Sequence, residues 1–249
     1  DIFEKKVLFH HIHNEQRLPP YLKDFPDSRI IAMTRDPRPC FVSGVEHWIK
    51  YEPRVDNMGQ VYFTLNRIFS DTEGLRKYNK EYIAIRIEDV DGEEFLRKLA
   101  GWLGVEYEET MLCSSWGGLA WYGDKLMSNK VHKNALDRSV LNNGWEEKLS
   151  IFDRYRLNYL LNDRLKTYKY QYKPISFFDT LVIPLLLFFP LKYELKYFTI
   201  TYLRAKIKGN KFKLILQNLR YYFKRVFLFY EFYLRSLRRE KIERPFLKK

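Results

Sequence analysis

Short apolar runs and helical repeats alternate along the first 170 residues of the chain. The runs Ile30–Met33 and Tyr82–Ile87 are rich in β-favouring residues and too short for a typical buried helix, so they predict two buried strands. Residues Phe95–Val105 carry apolar side chains at helical spacing, and Ser150 is a suitable N-cap for another helix over Phe152–Leu165. Strands that alternate with helices in this way predict an α/β domain.

The pattern changes near residue 173. Residues Ile175–Leu191 are apolar over 17 positions, but Asp179, Pro184 and Pro190 interrupt them. A membrane-spanning helix needs about 20 apolar residues without such interruptions. The segment therefore predicts insertion as a re-entrant or interfacial element.

A regular helical repeat follows from Phe212 onward. Its apolar positions are Phe212, Ile215, Leu216, Leu219, Phe223, Val226, Phe227, Tyr230, Tyr233, Leu234 and Leu237. The opposite arc carries Lys213, Gln217, Arg220, Lys224, Glu231, Arg235 and Arg238. An aromatic and apolar face backed by Lys and Arg is typical of a helix that lies in a membrane interface. A helix packed on its own domain is the alternative that this pattern leaves open.

The charge of the chain is placed unevenly. The 249 residues carry a net charge of +13, yet residues 166–249 alone hold 20 Lys and Arg against 5 Asp and Glu. Such a basic segment predicts attraction to an anionic membrane surface. Nucleic acid is disfavoured because the basic residues accompany a broad apolar face rather than an exposed aromatic platform. We therefore predict a domain over residues 1–172 and a basic, helical, membrane-associating tail over residues 173–249.

Cysteine usage and the chain start bear on the compartment. Cys40 and Cys113 give neither a disulfide framework nor a metal-binding pair, which favours a reducing compartment. The chain begins at Asp1, and no secretory signal precedes its first strand-like run. We expect a fragment that lacks its natural N-terminus, from a cytoplasmic protein that associates peripherally with a membrane.

Candidate chemistry is concentrated in the stretch 28–48, SRIIAMTRDPRPCFVSGVEHW. Arg35 follows the first predicted strand, Pro37 keeps Asp36 out of the helical region, and the next helix carries Ser43. Ligands of open α/β sheets bind outside the carboxyl ends of the strands, so a guanidinium and a hydroxyl placed here can hold a phosphate. The alternative is that Arg35 only caps the strand end while Ser43 faces solvent.

The spacing of Arg35 and Ser43, eight positions apart in the frame RDPRPCFVS, resembles the 3′-phosphate-binding element of sulfotransferases that use 3′-phosphoadenosine-5′-phosphosulfate (PAPS). The resemblance implies that both residues bind the 3′-phosphate of PAPS. It also implies a P-loop-type three-layer α/β/α fold with a short parallel sheet, followed here by the mainly helical tail. The family's first strand and its Gly- and Ser/Thr-rich phosphosulfate loop are missing from this sequence, which we attribute to lost upstream residues.

Three further residues take roles from the same resemblance. His11, in the strand-like run KVLFHHIH, takes the position of the general base, although Phe9 and His10 replace the usual Lys and Thr. Trp116 is expected near the adenine and Arg138 near the 3′-phosphate. The near-neutral pKa of a histidine suits removal of a proton from an acceptor hydroxyl. A solvated loop histidine is the alternative, and no further spaced Cys or His favours a zinc site.

The function implied by the resemblance is transfer of a sulfuryl group from PAPS to a hydroxyl of a carbohydrate or glycolipid acceptor at a membrane surface, without a metal. The fragment as given is expected to be inactive. A non-catalytic membrane-associated scaffold that retains the fold is the alternative, because Ile87 also replaces a Tyr of the family pattern. A different P-loop transferase, such as a nucleotide kinase, would need GxxxxGK upstream and acidic metal ligands.

Overall fold

The computed structural model describes residues 18–51, 57–70, 82–90, 92–112, 115–116, 119–120, 141, 144–205 and 211–238. The helices of the first half are α1 (Leu18–Asp24), α2 (Pro37–Tyr51), α3 (Met58–Ser70) and α4 (Gly92–Leu103). The strands are β1 (Ile30–Thr34), β2 (Tyr82–Arg86), β3 (Ser115–Trp116) and β4 (Leu119–Ala120). The helices of the second half are α5 (Trp145–Lys148), α6 (Ile151–Leu160), α7 (Asn162–Thr167), α8 (Phe177–Phe188), α9 (Lys192–Leu195), α10 (Ile200–Ala205) and α11 (Lys211–Leu237).

Strands β1 and β2 form a parallel pair in which Thr34 lies opposite Arg86. Successive residues of β2 point to opposite sides. Ile83 packs with Phe95 of α4, while Ala84 belongs to the larger core on the other side. The described residues thus form a mostly helical, mixed α/β fold, which confirms the two predicted strands and the coarse fold class.

The main hydrophobic core joins residues from both sides of position 172. Phe41 and Phe69 from the first half share this core with Leu187 and Phe229 from the second. The ring centroids of Phe69 and Phe229 are 5.9 Å apart in an edge-on arrangement. Helix α11 therefore packs on the rest of the protein along one face, which was one of the two expectations for it.

The helix expected over Phe152–Leu165 is divided into α6 and α7. The predicted N-cap is confirmed, since the Ser150 Oγ accepts a hydrogen bond from the Asp153 N–H at 3.0 Å and the pair forms a capping box. Leu161, with φ −101° and ψ 6°, lies between the two helices. This backbone departs from helical geometry and ends α6 at Leu160, five residues before the predicted end at Leu165.

Helix α8 accommodates the residues that interrupt its apolar sequence. Asp179 forms a capping box with Ser176, whose N–H donates to the Asp179 carboxylate at 2.7 Å. Pro184 has no N–H to donate to the Thr180 carbonyl, and the Tyr233 hydroxyl of α11 donates to that carbonyl instead at 3.2 Å. The segment is thus a helix supported by α11, and only part of its surface is left for an interface.

Two buried arginines donate hydrogen bonds to the last carbonyls of α8. The Arg225 guanidinium donates to the Leu187 carbonyl at 2.5 Å and forms an ion pair with Glu194 at 2.8 Å. The Arg156 guanidinium donates to the Leu186 carbonyl at 3.0 Å. The last carbonyls of a helix lack intrahelical donors and carry partial negative charge, so cations at this position stabilise the helix end. None of the described helices is both long enough and apolar enough to cross a membrane.

Candidate functional site

The candidate site lies at the carboxyl end of the β1–β2 pair. Thr34 ends β1 and is buried, the half-buried Arg35 follows it, and α2 begins two residues later at Pro37. A proline suits the first turn of a helix because the N–H groups there have no intrahelical acceptor. Arg35 and α2 therefore stand in the order and positions that the sequence predicts.

Arg38 fixes the first turn of α2. It is 5% exposed and pairs side-on with Asp36, with Nη2 2.6 Å from Oδ2 and Nε 3.0 Å from Oδ1. Its Nη1 donates to Asn158 of α6 at 2.7 Å, and its guanidinium lies 4.8 Å from the centroid of the Trp145 ring. A bidentate pair of this kind fixes geometry as well as adding energy. Arg38 therefore positions α2 relative to α5 and α6.

Glu88 connects the ends of both strands. Its carboxylate accepts a hydrogen bond from the Asp36 N–H at 3.1 Å and another from the Tyr170 hydroxyl at 3.2 Å. Burial raises the pKa of Tyr170, and the negative charge of Glu88 raises it further. Tyr170 therefore stays a neutral donor to Glu88 across the physiological pH range.

A second buried arginine reaches the same end of the sheet from α7. Arg164 is 7% exposed, its Nη1 donates to the Ile68 carbonyl at 2.7 Å, and its Nη2 donates to the Thr34 hydroxyl at 3.4 Å. The sequence carries no local signal for this role, because Arg164 lies 130 positions from Thr34. Sequence reasoning assigned it no function.

The pKa of Cys40, on the first turns of α2, depends on the charges at the carboxyl end of the β1–β2 pair. Burial raises the pKa of its thiol to about 11, and the positive charges of Arg35 and Arg164 oppose that rise. Ser43 is three positions further on, so it is the neighbour of Cys40 on the same helix face, and it is exposed. The positive charges of Arg35 and Arg164 act on the Cys40 thiol together with the opposing negative charges of Asp36 and Glu88, so this end of the sheet holds two guanidinium groups and two carboxylates.

The side chains of the other three predicted site residues lie outside the described part of the chain. Trp116 lies in β3, which pairs with β4 in antiparallel fashion, and its side chain is outside the described part of the chain. His11 and Arg138 also lie outside it. Among the residues that are described, no group of three or more His, Cys, Asp and Glu side chains is arranged to hold a metal ion. Of the five predicted site residues, Arg35 and Ser43 are thus the two whose side chains the structure describes.

The chain was compared with known protein families, with curated proteins and with solved structures, and no match was found in any of the three.

Proposed function

We propose that the natural protein is a PAPS-dependent sulfotransferase. The observation that carries this proposal is the parallel β1–β2 pair, with Arg35 at its carboxyl end and Ser43 exposed on the helix that follows. Ligands of α/β sheets bind at such ends. Packing of Ile83 on α4 and of Ala84 into the opposite core supports a three-layer α/β/α arrangement.

The guanidinium groups of Arg35 and Arg164, whose charges act on Cys40, suit a phosphate group. In the proposed reaction the Arg35 guanidinium donates paired hydrogen bonds to the 3′-phosphate of the donor substrate, and the Ser43 hydroxyl donates another. Arg138 adds a second cation, and Trp116 stacks on the adenine. These contacts orient the donor without taking part in bond formation.

The transfer itself needs a base at the acceptor. His11 removes the proton from the acceptor hydroxyl, whose oxygen forms a bond to sulfur as the bond from sulfur to the phosphate oxygen breaks. The products are a sulfate ester and adenosine 3′,5′-bisphosphate. The basic second half of the chain supports a carbohydrate or glycolipid acceptor presented at the cytoplasmic face of a membrane.

Nucleotide binding tests the proposal. Calorimetric titration of the natural full-length protein with adenosine 3′,5′-bisphosphate should show binding that Arg35→Ala weakens by roughly 10- to 100-fold, because hydrogen bonds to charged groups contribute about 1.5 to 3 kcal/mol. Arg97→Ala is a matched control, since Arg97 is an exposed arginine of α4 that pairs with Glu93. Equal affinities for the wild type and Arg35→Ala would refute the assignment of Arg35.

A second candidate is a membrane-associated scaffold that retains this fold without catalysis. It is favoured by the way three arginines at this end of the sheet are used for internal contacts. Arg38 pairs with Asp36, Arg86 pairs with Asp89, and Arg164 donates to a backbone carbonyl. A full-length protein that binds anionic vesicles but no adenosine 3′,5′-bisphosphate would identify the scaffold.

A further inference from the structure

Helix α8 has apolar side chains on two opposite faces. Ile183 and Leu187 are fully buried in the core. The opposite face exposes Phe177, Phe178, Leu181, Leu185, Phe188 and the following Phe189, each at least 51% accessible to solvent. A helix that is hydrophobic all round is normally covered all round. Among the described residues, one face of α8 is therefore buried and the other is exposed.

Helix α11 has three faces. The first packs into the protein through Asn218, Tyr222, Arg225, Val226 and Phe229. The second is an exposed apolar stripe made of Phe212, Leu216, Phe223, Phe227, Leu234 and Leu237. The third is an exposed polar stripe made of Lys213, Gln217, Arg220, Lys224, Glu231 and Arg238. At 100° per residue the apolar stripe falls between the packed face and the polar stripe.

The two exposed apolar faces lie on the same side of the molecule. Helices α8 and α11 are antiparallel, since Tyr230 donates to the Pro184 carbonyl at 2.7 Å and Tyr233 donates to the earlier Thr180 carbonyl at 3.2 Å. The residues of these two hydrogen bonds lie near the border between the buried face and the exposed apolar face of their helix. The exposed faces therefore adjoin along the contact and point away from the core.

We call the twelve side chains of these two exposed faces the α8–α11 surface. A whole aromatic side chain has roughly 200 Å² of surface, so the set exposes on the order of 1,000 Å² of apolar area. The largest apolar patch on a typical monomer is about 300 to 600 Å². An apolar surface of this size marks an interaction site.

The charge at the border of the surface identifies what covers it. Lys213, Arg220 and Lys224 follow its edge on α11 and are exposed. The one acidic residue of that polar stripe, Glu231, is paired with Arg235 at 2.5 Å. A broad apolar plane with a basic border complements a lipid interface, whose acyl chains accept Phe and Leu while anionic headgroups attract Lys and Arg.

We propose that the α8–α11 surface docks on an anionic lipid membrane, with both helices lying in the plane of the interface. The proposal deepens the membrane association included in the proposed function, but it does not depend on nucleotide binding or catalysis. It assigns lipid contact to two helices together, held in one plane by the rest of the fold. The apolar stripe reaches the acyl chains and the basic stripe reaches the headgroups.

Co-sedimentation with vesicles tests the docking. The natural full-length protein is mixed with vesicles of phosphatidylcholine alone or with 30% phosphatidylserine, and the bound fraction is measured. We expect binding to the anionic vesicles. We expect the double variant Leu185→Ser/Phe227→Ser to bind roughly tenfold or more weakly, because each substitution removes an exposed apolar side chain that docking would bury. Replacing Lys213, Arg220 and Lys224 by Gln should weaken binding to the anionic vesicles selectively.

Phe25→Ser serves as the matched control, because Phe25 is 47% exposed and lies outside both helices. It should bind vesicles as the wild type does. Failure of the wild type to bind anionic vesicles, or wild-type binding by the double variant, would overturn the proposal. A dimer in gel filtration that the double variant converts to a monomer would also overturn it, since a second copy would then cover the surface. Adenosine 3′,5′-bisphosphate titrations of the same variants separate this outcome from failure of the proposed function.

Discussion

The carboxyl end of the β1–β2 pair and the α8–α11 surface place their side chains in opposite ways. At the sheet end, charged groups turn inward and satisfy one another, as in the pair of the buried Arg38 with Asp36. At the α8–α11 surface, apolar groups turn outward, and Phe227 is 72% exposed. Paired charges that are buried fix the geometry of a site. Exposed apolar side chains, by contrast, contribute a favourable free energy only when a partner covers them. The sheet end thus holds its side chains in fixed positions, whereas the α8–α11 surface leaves apolar side chains exposed.

The largest effect is expected where a buried ion pair supports helices α8 and α11. Glu194 and Arg225 form an ion pair with no exposure on either side, so Glu194→Ala leaves a buried guanidinium without its carboxylate. We expect this variant to lower the free energy of unfolding by about 3 to 5 kcal/mol, measured by urea denaturation. Glu231→Ala, which removes an exposed pair with Arg235 on the same helix α11, should cost less than about 1 kcal/mol. Similar losses in the two variants would show that burial does not distinguish these pairs.

The buried face of α11 shows what helical periodicity leaves undetermined. The repeat predicts the helix and its apolar arc, but only part of that arc packs inward, since Val226 is buried whereas Phe223 and Phe227 are exposed. The packed face includes Asn218 and Arg225, which no hydrophobicity pattern assigns to a core. Asn218 can be buried without an unsatisfied oxygen because its side-chain oxygen accepts a hydrogen bond from the Met58 N–H, 160 positions away. The sequence pattern therefore predicts amphipathic arcs but not which arc the fold covers.

At the sheet end, local signals predict more. The apolar run before Arg35 and the prolines after it predict the strand, the turn and the helix that carries Ser43, and the structure has all three. Arg164 could not be predicted, because its position depends on how α7 returns to β1. Local backbone preferences are readable in the sequence, whereas contacts over more than a hundred positions are products of the whole fold.

A smaller effect is expected at the sheet end, from Cys40. Its thiol has a pKa raised from 9.0 to about 11 in the folded protein, so its contribution to stability is complete below pH 9 and is lost as the pH rises toward 11. Between pH 8 and pH 10.5 this loss should amount to about 2 kcal/mol. Urea denaturation of the wild type and Cys40→Ser across this range isolates the effect, because the tyrosines titrate in both proteins. Parallel stability curves would mean that the thiol titrates alike in the folded and unfolded states.

The smallest effect on folding is expected from the outward face of α8. Leu185 is 71% exposed, so Leu185→Ala should change the free energy of unfolding by less than about 0.5 kcal/mol. Leu187, two positions later and fully buried, is its matched counterpart, and Leu187→Ala should cost about 2 to 5 kcal/mol in the same urea titration. A comparable loss at Leu185 would mean that protein already covers this face in solution. The unfolding midpoint would then depend on protein concentration if a second copy supplied the cover, since association stabilises only the folded state.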